Sequence, residues 1–420
     1  MEKQQITVTR LSVRQIGAVV AGNALEFYDF LTFGFFAVQI GAVFFPGHTA
    51  TGSLLLSLAT FGVGFLTRPL GGLLIGPLGD RIGRKPAMLF SFGLMGFSIV
   101  GLALTPSYAS IGIAAPVLVV IFRLLQGFAL GGEVGPTTSF LMEAAPAHRR
   151  GFYVSLQLAT QQLATLASGL VGFALSLALT PENLTAWGWR VAMLLGASVV
   201  PFALVIRRSL PETFSRTAGE RPKLTSAQWR LSLLMTAMAA SITIATYTLN
   251  YLNVYATHTL GFKPALAFGG IAVAGICGTI FNPIGGWLSD RLGRKPVMIT
   301  AFLLLWAVGL PCFIVMSHLR TPLALYGGAA VMATLLALGA SATITFLAEN
   351  LPPEIRSGGV GIIYAVAITV FGGSASFVAA WLTEVTGSPL APAWYMCAAL
   401  MVGLAAMLSV RESAPIKTGG

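Results

Sequence analysis

The sequence predicts an all-α membrane protein: twelve transmembrane helices in two parallel six-helix repeats, with both termini in the cytoplasm. Three observations carry this. Of 420 residues, 55% are hydrophobic and only 9% are charged, against roughly 25% charged in a soluble domain. A hydrocarbon core about 30 Å thick needs about 20 apolar residues per helical crossing, and such stretches follow one another almost end to end. Most basic residues lie in the termini and in alternate loops, and a motif after the second stretch returns after the eighth.

The apolar runs, punctuated by Gly, Pro and charge, place six spans near 15–38, 52–77, 86–105, 115–142, 151–179 and 190–206. Six more follow near 231–257, 265–288, 297–317, 322–347, 358–383 and 392–410. Residues 1–206 therefore form one bundle and 231–420 the other. The polar segment 207–230, with Pro211 and Pro222, is the linker. The first span lacks the charged lead, short apolar core and cleavage site of a signal peptide, so a retained helix is expected.

Lys3, Arg10 and Arg14 precede span one, and Arg81, Arg84 and Lys85 follow span two. Arg149 and Arg150 follow span four, and the linker carries Arg207, Arg208, Arg216, Arg221, Lys223 and Arg230. Arg291, Arg294 and Lys295 follow span eight, Arg356 follows span ten, and Arg411 and Lys417 close the chain. The intervening loops hold only Arg190, Lys263 and Arg320. This asymmetry is the positive-inside rule. It accounts for the net charge of +11 without a nucleic-acid partner. Cys277, Cys312 and Cys397 lie on three different spans, a pattern that suggests neither a metal site nor a disulfide framework.

The repeat is specific. Gly79-Asp80-Arg81-Ile82-Gly83-Arg84-Lys85-Pro86 returns as Ser289-Asp290-Arg291-Leu292-Gly293-Arg294-Lys295-Pro296, offset by 210 residues. Glu143, Pro146 and Arg150 after span four return as Glu349, Pro352 and Arg356 after span ten, offset by 206. Parallel repeats of this kind build secondary transporters whose site lies between the halves near the bilayer midplane.

The D-R-x-G-R-K loop after spans two and eight resembles the signature of the major facilitator superfamily. Gly22-Asn23 through Glu26 and Asp29, Arg68-Pro69, Arg123-Leu-Leu-Gln126-Gly127 into Gly131-Gly132-Glu133, and Ala186-Trp187-Gly188-Trp189-Arg190 are similar to its metabolite:proton symporter family. Ser155-Leu-Gln157 with Gln161-Gln162, Arg207-Arg208-Ser209-Leu210 and Phe371-Gly372-Gly373 look most similar to the citrate and tricarballylate transporters within it. The resemblance implies the major facilitator fold, a multi-pass protein of a bacterial inner membrane, and import of a small carboxylate with protons by alternating access. The family also carries 2-oxoglutarate, shikimate, proline and betaine.

An ionisable side chain deep in a bilayer costs roughly 2.5–3.5 kcal/mol on insertion scales, so the few present invite a role. Counting along the helices puts Asp29 of span one and Arg123 of span four at similar depth, as candidates to pair. Arg68 and Glu133 fall together in the half toward the cytoplasm, and Glu26 lies one turn below Asp29. An arginine fork offers a planar, bidentate site for a carboxylate, so Arg123 and Arg68 are candidates to bind substrate. Asp29, Glu26 and Glu133 are candidates to carry the proton. A static pair locking spans one, two and four is the structural alternative.

Neutral polar side chains complete the expected cavity: Asn23, Gln126, Gln157, Gln161, Tyr247, Asn250, Tyr251 and Asn282. Interhelical bonding or an interfacial aromatic belt competes with that role, for Tyr255 above all. The repeated loops are expected to gate. Asp80, Arg81, Arg84, Asp290, Arg291 and Arg294, with Glu143, Arg150, Glu349 and Arg356, can form pairs or cap helices across the halves and break as these rock.

No cofactor is expected beyond the proton as coupling ion. The expected partners are a small anionic substrate and the lipid bilayer, with the chain acting as a monomer because the two halves enclose their own site. No phosphate-binding G-x-x-x-x-G-K-[ST] loop or catalytic constellation is visible, which disfavours ATP-driven pumping and an enzyme. Drug efflux fits the deep acids and arginines less well than a polar anion does.

Overall fold

The computed structural model of the chain describes residues 27–47, 49–82, 84–131, 138, 141–142, 145–197, 226–351 and 353–418. Every regular element among them is helical. Among the described residues, eight helices are long and apolar enough to cross a membrane: Ala50–Ile75 (span two), Ala147–Ala178 (five), Gln228–Thr259 (seven), Pro264–Leu292 (eight), Arg294–Leu319 (nine), Pro322–Glu349 (ten), Gly359–Thr386 (eleven) and Ala391–Ser409 (twelve). Phe27–Phe35 and Ala37–Phe44 form a bent span one, and the shorter apolar helices Phe90–Leu104 and Ala114–Leu130 belong to spans three and four. Span six is described over 189–197; its remainder, and the linker as far as residue 225, lie outside the described residues.

Local chemistry sets several boundaries. Thr49 and Thr321 cap spans two and ten, their hydroxyls accepting from the Gly52 and Ala324 amides. Proline stands in the first turn of spans eight, ten and twelve, where its missing N–H goes unneeded. Span seven begins at Ser226, inside the segment read as linker. Span one runs past its expected end at residue 38 to Phe44, with a bend of 68°. At that bend Asn253 of span seven donates to the Phe35 carbonyl at 2.6 Å. A side chain inserted into the helical ladder is one of the standard causes of a kink.

Glycines let backbones touch. A Cβ on Gly127 of span four would sit 1.6 Å from the Gly64 carbonyl oxygen of span two, and one on Gly131 would sit 1.9 Å from the Arg68 carbonyl oxygen. Spans five and eight make the matching seam between the halves, where a Cβ on Gly286 would lie 2.3 Å from the Gly151 oxygen. Without water between helices, close packing of small residues replaces the hydrophobic drive. Large apolar side chains such as Leu73, Phe97, Ile113 and Leu323 are exposed on the outside of the bundle, as lipid contact requires.

The halves touch at both ends. At the end carrying the repeated motif, spans five and eight meet at Gly151 and Gly286. At the other, Asn253 holds Phe35 and the Phe36 ring packs 4.8 Å from Phe268.

Candidate functional site

Between these contacts lies a cavity lined by both halves. Span five contributes Leu158, Gln161, Gln162 and Thr165, and span seven contributes Thr243, Thr246, Tyr247 and Asn250. Each set follows the i, i+3, i+4, i+7 spacing of one helical face. Asn282 of span eight, Tyr364 of span eleven, and Phe27 and Leu31 of span one also line it. No charged side chain among the described residues does.

Of the neutral polar side chains expected to complete the cavity, Gln161, Tyr247, Asn250 and Asn282 line it. Asn282 also donates to the Gly278 carbonyl at 2.7 Å and accepts from Ser341 at 2.9 Å. Gln157, one position off the cavity stripe of span five, instead accepts from Thr138 of span four at 2.7 Å. Tyr251 is buried away from the cavity. Tyr255 is also buried, its ring 5.2 Å from that of Phe313 in an edge contact, so it is not part of an interfacial belt. Gln162, Thr243, Thr246 and Tyr364 also line the cavity and were not among the expected cavity residues. Their signal was the helical stripe through Gln161 and Tyr247.

Asp29 and Arg123 do meet at one depth, but not as the expected direct pair. Gln126 stands between them: its amide Nε2 donates to Asp29 Oδ2 at 2.9 Å, and its Oε1 accepts from Arg123 Nη1 at 2.8 Å. Arg123 Nη2 also donates to the Phe61 carbonyl at 3.2 Å. The three side chains are 0–1% exposed. Gln126 sits one turn after Arg123 on span four, so the helix aims both at span one. Gly64 of span two leaves room, since a Cβ there would lie 3.3 Å from the guanidinium nitrogens Nε and Nη2.

An aromatic box holds the cations. The Arg123 guanidinium carbon lies 4.3, 4.5 and 5.2 Å from the ring centres of Phe30, Phe33 and Phe61, and that of Arg68 lies 4.4 and 4.5 Å from Phe30 and Phe65. Ring faces attract a desolvated cation without neutralising it. Tyr247 joins box to cavity, its ring 6.0 Å from Phe61 and 5.5 Å from Phe65. Arg68, Arg123 and Gln126 thus lie behind the cavity wall rather than in it. The box was hidden in the sequence because phenylalanines in a membrane span read as packing. Asn23, Glu26, Glu133 and Glu143 lie outside the described residues.

The second motif copy forms a network across the halves. Asp290 accepts from the Gly151 and Phe152 amides of span five at 2.8 and 2.9 Å, an acid at a helix N-terminus where the dipole favours it. Arg294, fully buried, donates to Asp290 at 2.7 Å and grips Glu349 with two bonds of 3.1 and 2.9 Å. Gly293 alone joins spans eight and nine at φ +103°, a backbone that side chains with a Cβ disfavour. Glu412, absent from the sequence reading, accepts from the Arg294 and Lys295 amides at 2.9 and 3.0 Å. Arg291 lies on the Trp287 ring at 4.2 Å. Arg150 opens span five beside the Asp290 cap. Asp80, Arg81, Arg84 and Arg356 belong to described helices, but their side chains lie outside the described residues.

Residues 15–223 match the family described as Sugar (and other) transporter, and residues 270–419 match the Major Facilitator Superfamily. A citrate-proton symporter of Klebsiella pneumoniae is 34% identical, over 93% of this chain and 91% of its own. The alpha-ketoglutarate permease of Escherichia coli K12 is 34% identical over 94% and 93%, and a proline/betaine transporter of Salmonella typhimurium is 32% identical over 96% and 85%. The fold superposes on the partially occluded, inward-open xylose transporter XylE from E. coli with a TM-score of 0.77, at 18% identity, over 97% of this chain and 98% of that one. The chain belongs to the major facilitator superfamily and, within it, to the metabolite:proton symporters, a family of multi-pass membrane transporters rather than enzymes.

Proposed function

We propose that the chain imports a small carboxylate, citrate or a related tricarboxylate, together with protons across a bacterial inner membrane by alternating access. The observation that carries this is the buried chain from Asp29 through Gln126 to Arg123, set behind a cavity shared by both halves and lined by neutral polar and apolar side chains. Asp29 is the proton carrier and Arg123 the carboxylate fork, with Gln161, Tyr247, Asn250 and Asn282 holding the rest of the substrate. A carboxylate that takes Arg123 leaves Asp29 to a proton, and its departure restores the network; the coupling needs no cofactor. Asp290, held by Arg294 beside Glu349, closes the motif end through the Gly151 and Phe152 amides of span five; that end faces the cytoplasm with both termini, and Asp290 parts from span five as the halves rock. One chain suffices for the cycle. Similarity to the citrate-proton symporters supports the substrate class.

A second reading keeps the coupling and changes the cargo. The described cavity wall is neutral, which suits a less charged or zwitterionic substrate, and the relatives include carriers named for alpha-ketoglutarate and for proline and betaine. The test is uptake of radiolabelled citrate into proteoliposomes under an imposed inward proton gradient, with tricarballylate, 2-oxoglutarate, shikimate and betaine as competitors. Accumulation that tricarballylate blocks is expected. Accumulation of one of the others without citrate moves the substrate elsewhere in the family, and no gradient-driven uptake of any of them overturns the proposal.

A further inference from the structure

Resting on the reading of Asp29 as the proton carrier, we infer that Gln126 is a proton-gated amide switch, a positioning residue that holds Arg123 while Asp29 is ionised and lets it turn once Asp29 is protonated. Hydrogen-bond polarity alone dictates this. An ionised carboxylate only accepts and a guanidinium only donates, so an amide between them has one permitted orientation. Its NH₂ must face Asp29 and its oxygen must face Arg123, as observed at 2.9 and 2.8 Å. Turned over, it would set oxygen against carboxylate and NH₂ against guanidinium, losing both bonds in a buried site where unmade bonds are costly.

A proton on Asp29 removes that restriction. Among the described residues Asp29 Oδ1 has no hydrogen-bond partner, so it is the open atom for the proton. The neutral acid both donates and accepts, and therefore satisfies either orientation of the amide. Gln126 is then free to turn, and Arg123 retains the Phe61 carbonyl and the rings around it. An incoming carboxylate supplies the acceptor that Gln126 withdraws. Release of Arg123 to the anion thus waits on the proton, because the amide turns both of its ends together.

The other charged or titratable groups among the described residues around the pair are Arg68 against Phe30, Tyr28, whose hydroxyl donates to the Ala192 carbonyl at 3.2 Å, and Tyr247 behind Phe61. Span six presents Gly196 to Tyr28 and Asp29 and adds no charge at that contact.

The test is infrared difference spectroscopy between acid and neutral pH on the full chain in lipid. The protonated Asp29 carbonyl band is the one that vanishes in Asp29→Asn. In Gln126→Leu that band is expected to shift in frequency, and its half-titration to move by about one pH unit toward alkaline, the effect of losing one charge-assisted bond to the ionised form. Gln126→Asn, which keeps the amide but shortens its reach, serves if the leucine variant does not fold. An unchanged band and midpoint in a folded variant overturns the switch. A wild-type spectrum with no band that depends on Asp29 overturns the proton-carrier reading beneath it, whichever substrate is transported.

Discussion

Among the described residues two buried acid–arginine networks stand out, one in the first half behind the cavity wall and one where the halves meet at the motif end. In the second, Arg294 touches both its carboxylates directly and grips Glu349 with two bonds. In the first, an amide separates Asp29 from Arg123, and aromatic faces supply much of the cation's company. Direct bidentate contact makes a lock that only separation of its parts can open. A bridged contact has two states of nearly intact bonding and can change with the protonation of one atom. The direct network braces the end of the second half where Asp290 reaches the amides of span five, and the bridged one lies behind the cavity wall.

The largest expected effect tests the lock. Arg294→Ala strands Asp290 and Glu349 as buried charges, and breaking a buried pair from one side costs roughly 3–5 kcal/mol. Detergent-solubilised protein should show a clear fall in Tm, and an unchanged Tm would remove the distinction between the networks. Arg123→Lys comes next. It keeps the charge but not the fork, so the chain should insert with little loss of stability while uptake in proteoliposomes falls by about two orders of magnitude, equivalent to about 2.7 kcal/mol of lost transition-state binding. Near-normal uptake would remove Arg123 from the substrate path.

Asp29→Asn should act on coupling alone, because the asparagine oxygen still accepts from Gln126. Substrate exchange without a gradient should survive while proton-driven accumulation is lost, and retained accumulation would pass coupling to Glu26 or Glu133. The smallest effect belongs to Glu412→Gln, which keeps an acceptor for the Arg294 and Lys295 amides but gives up the charge. About 1 kcal/mol is expected, in line with the ordinary strength of a hydrogen bond, read as a slight drop in Tm with transport intact.

Much of this was legible before the structure. Helix number and repeat follow from hydropathy and from the returning D-R-x-G-R-K loop, because a bilayer imposes length and a motif imposes register. That Asp29 and Arg123 share a depth follows from counting rises along oppositely directed helices. The bridge does not follow, because spacing puts Gln126 on the face of Arg123 without fixing how far span four stands from span one. Gly64 and Gly127, which let span four close on span two and leave room for the Arg123 guanidinium, take effect only when the helices are docked. Gln157 was misplaced by one position of helical phase, and Glu412 was missed because a short polar tail carries no periodicity to show where it folds back.

The joint at Gly293 has a mechanical consequence. With one residue between Leu292 and Arg294, spans eight and nine have no slack with which to slide past each other, and a tilt of one is handed to the other as through a crank. Glu412 braces the outer side of that crank while Asp290 ties its inner side to span five. A swing that frees span five is therefore transmitted to the periphery of the second half, where surrounding lipid must accommodate it.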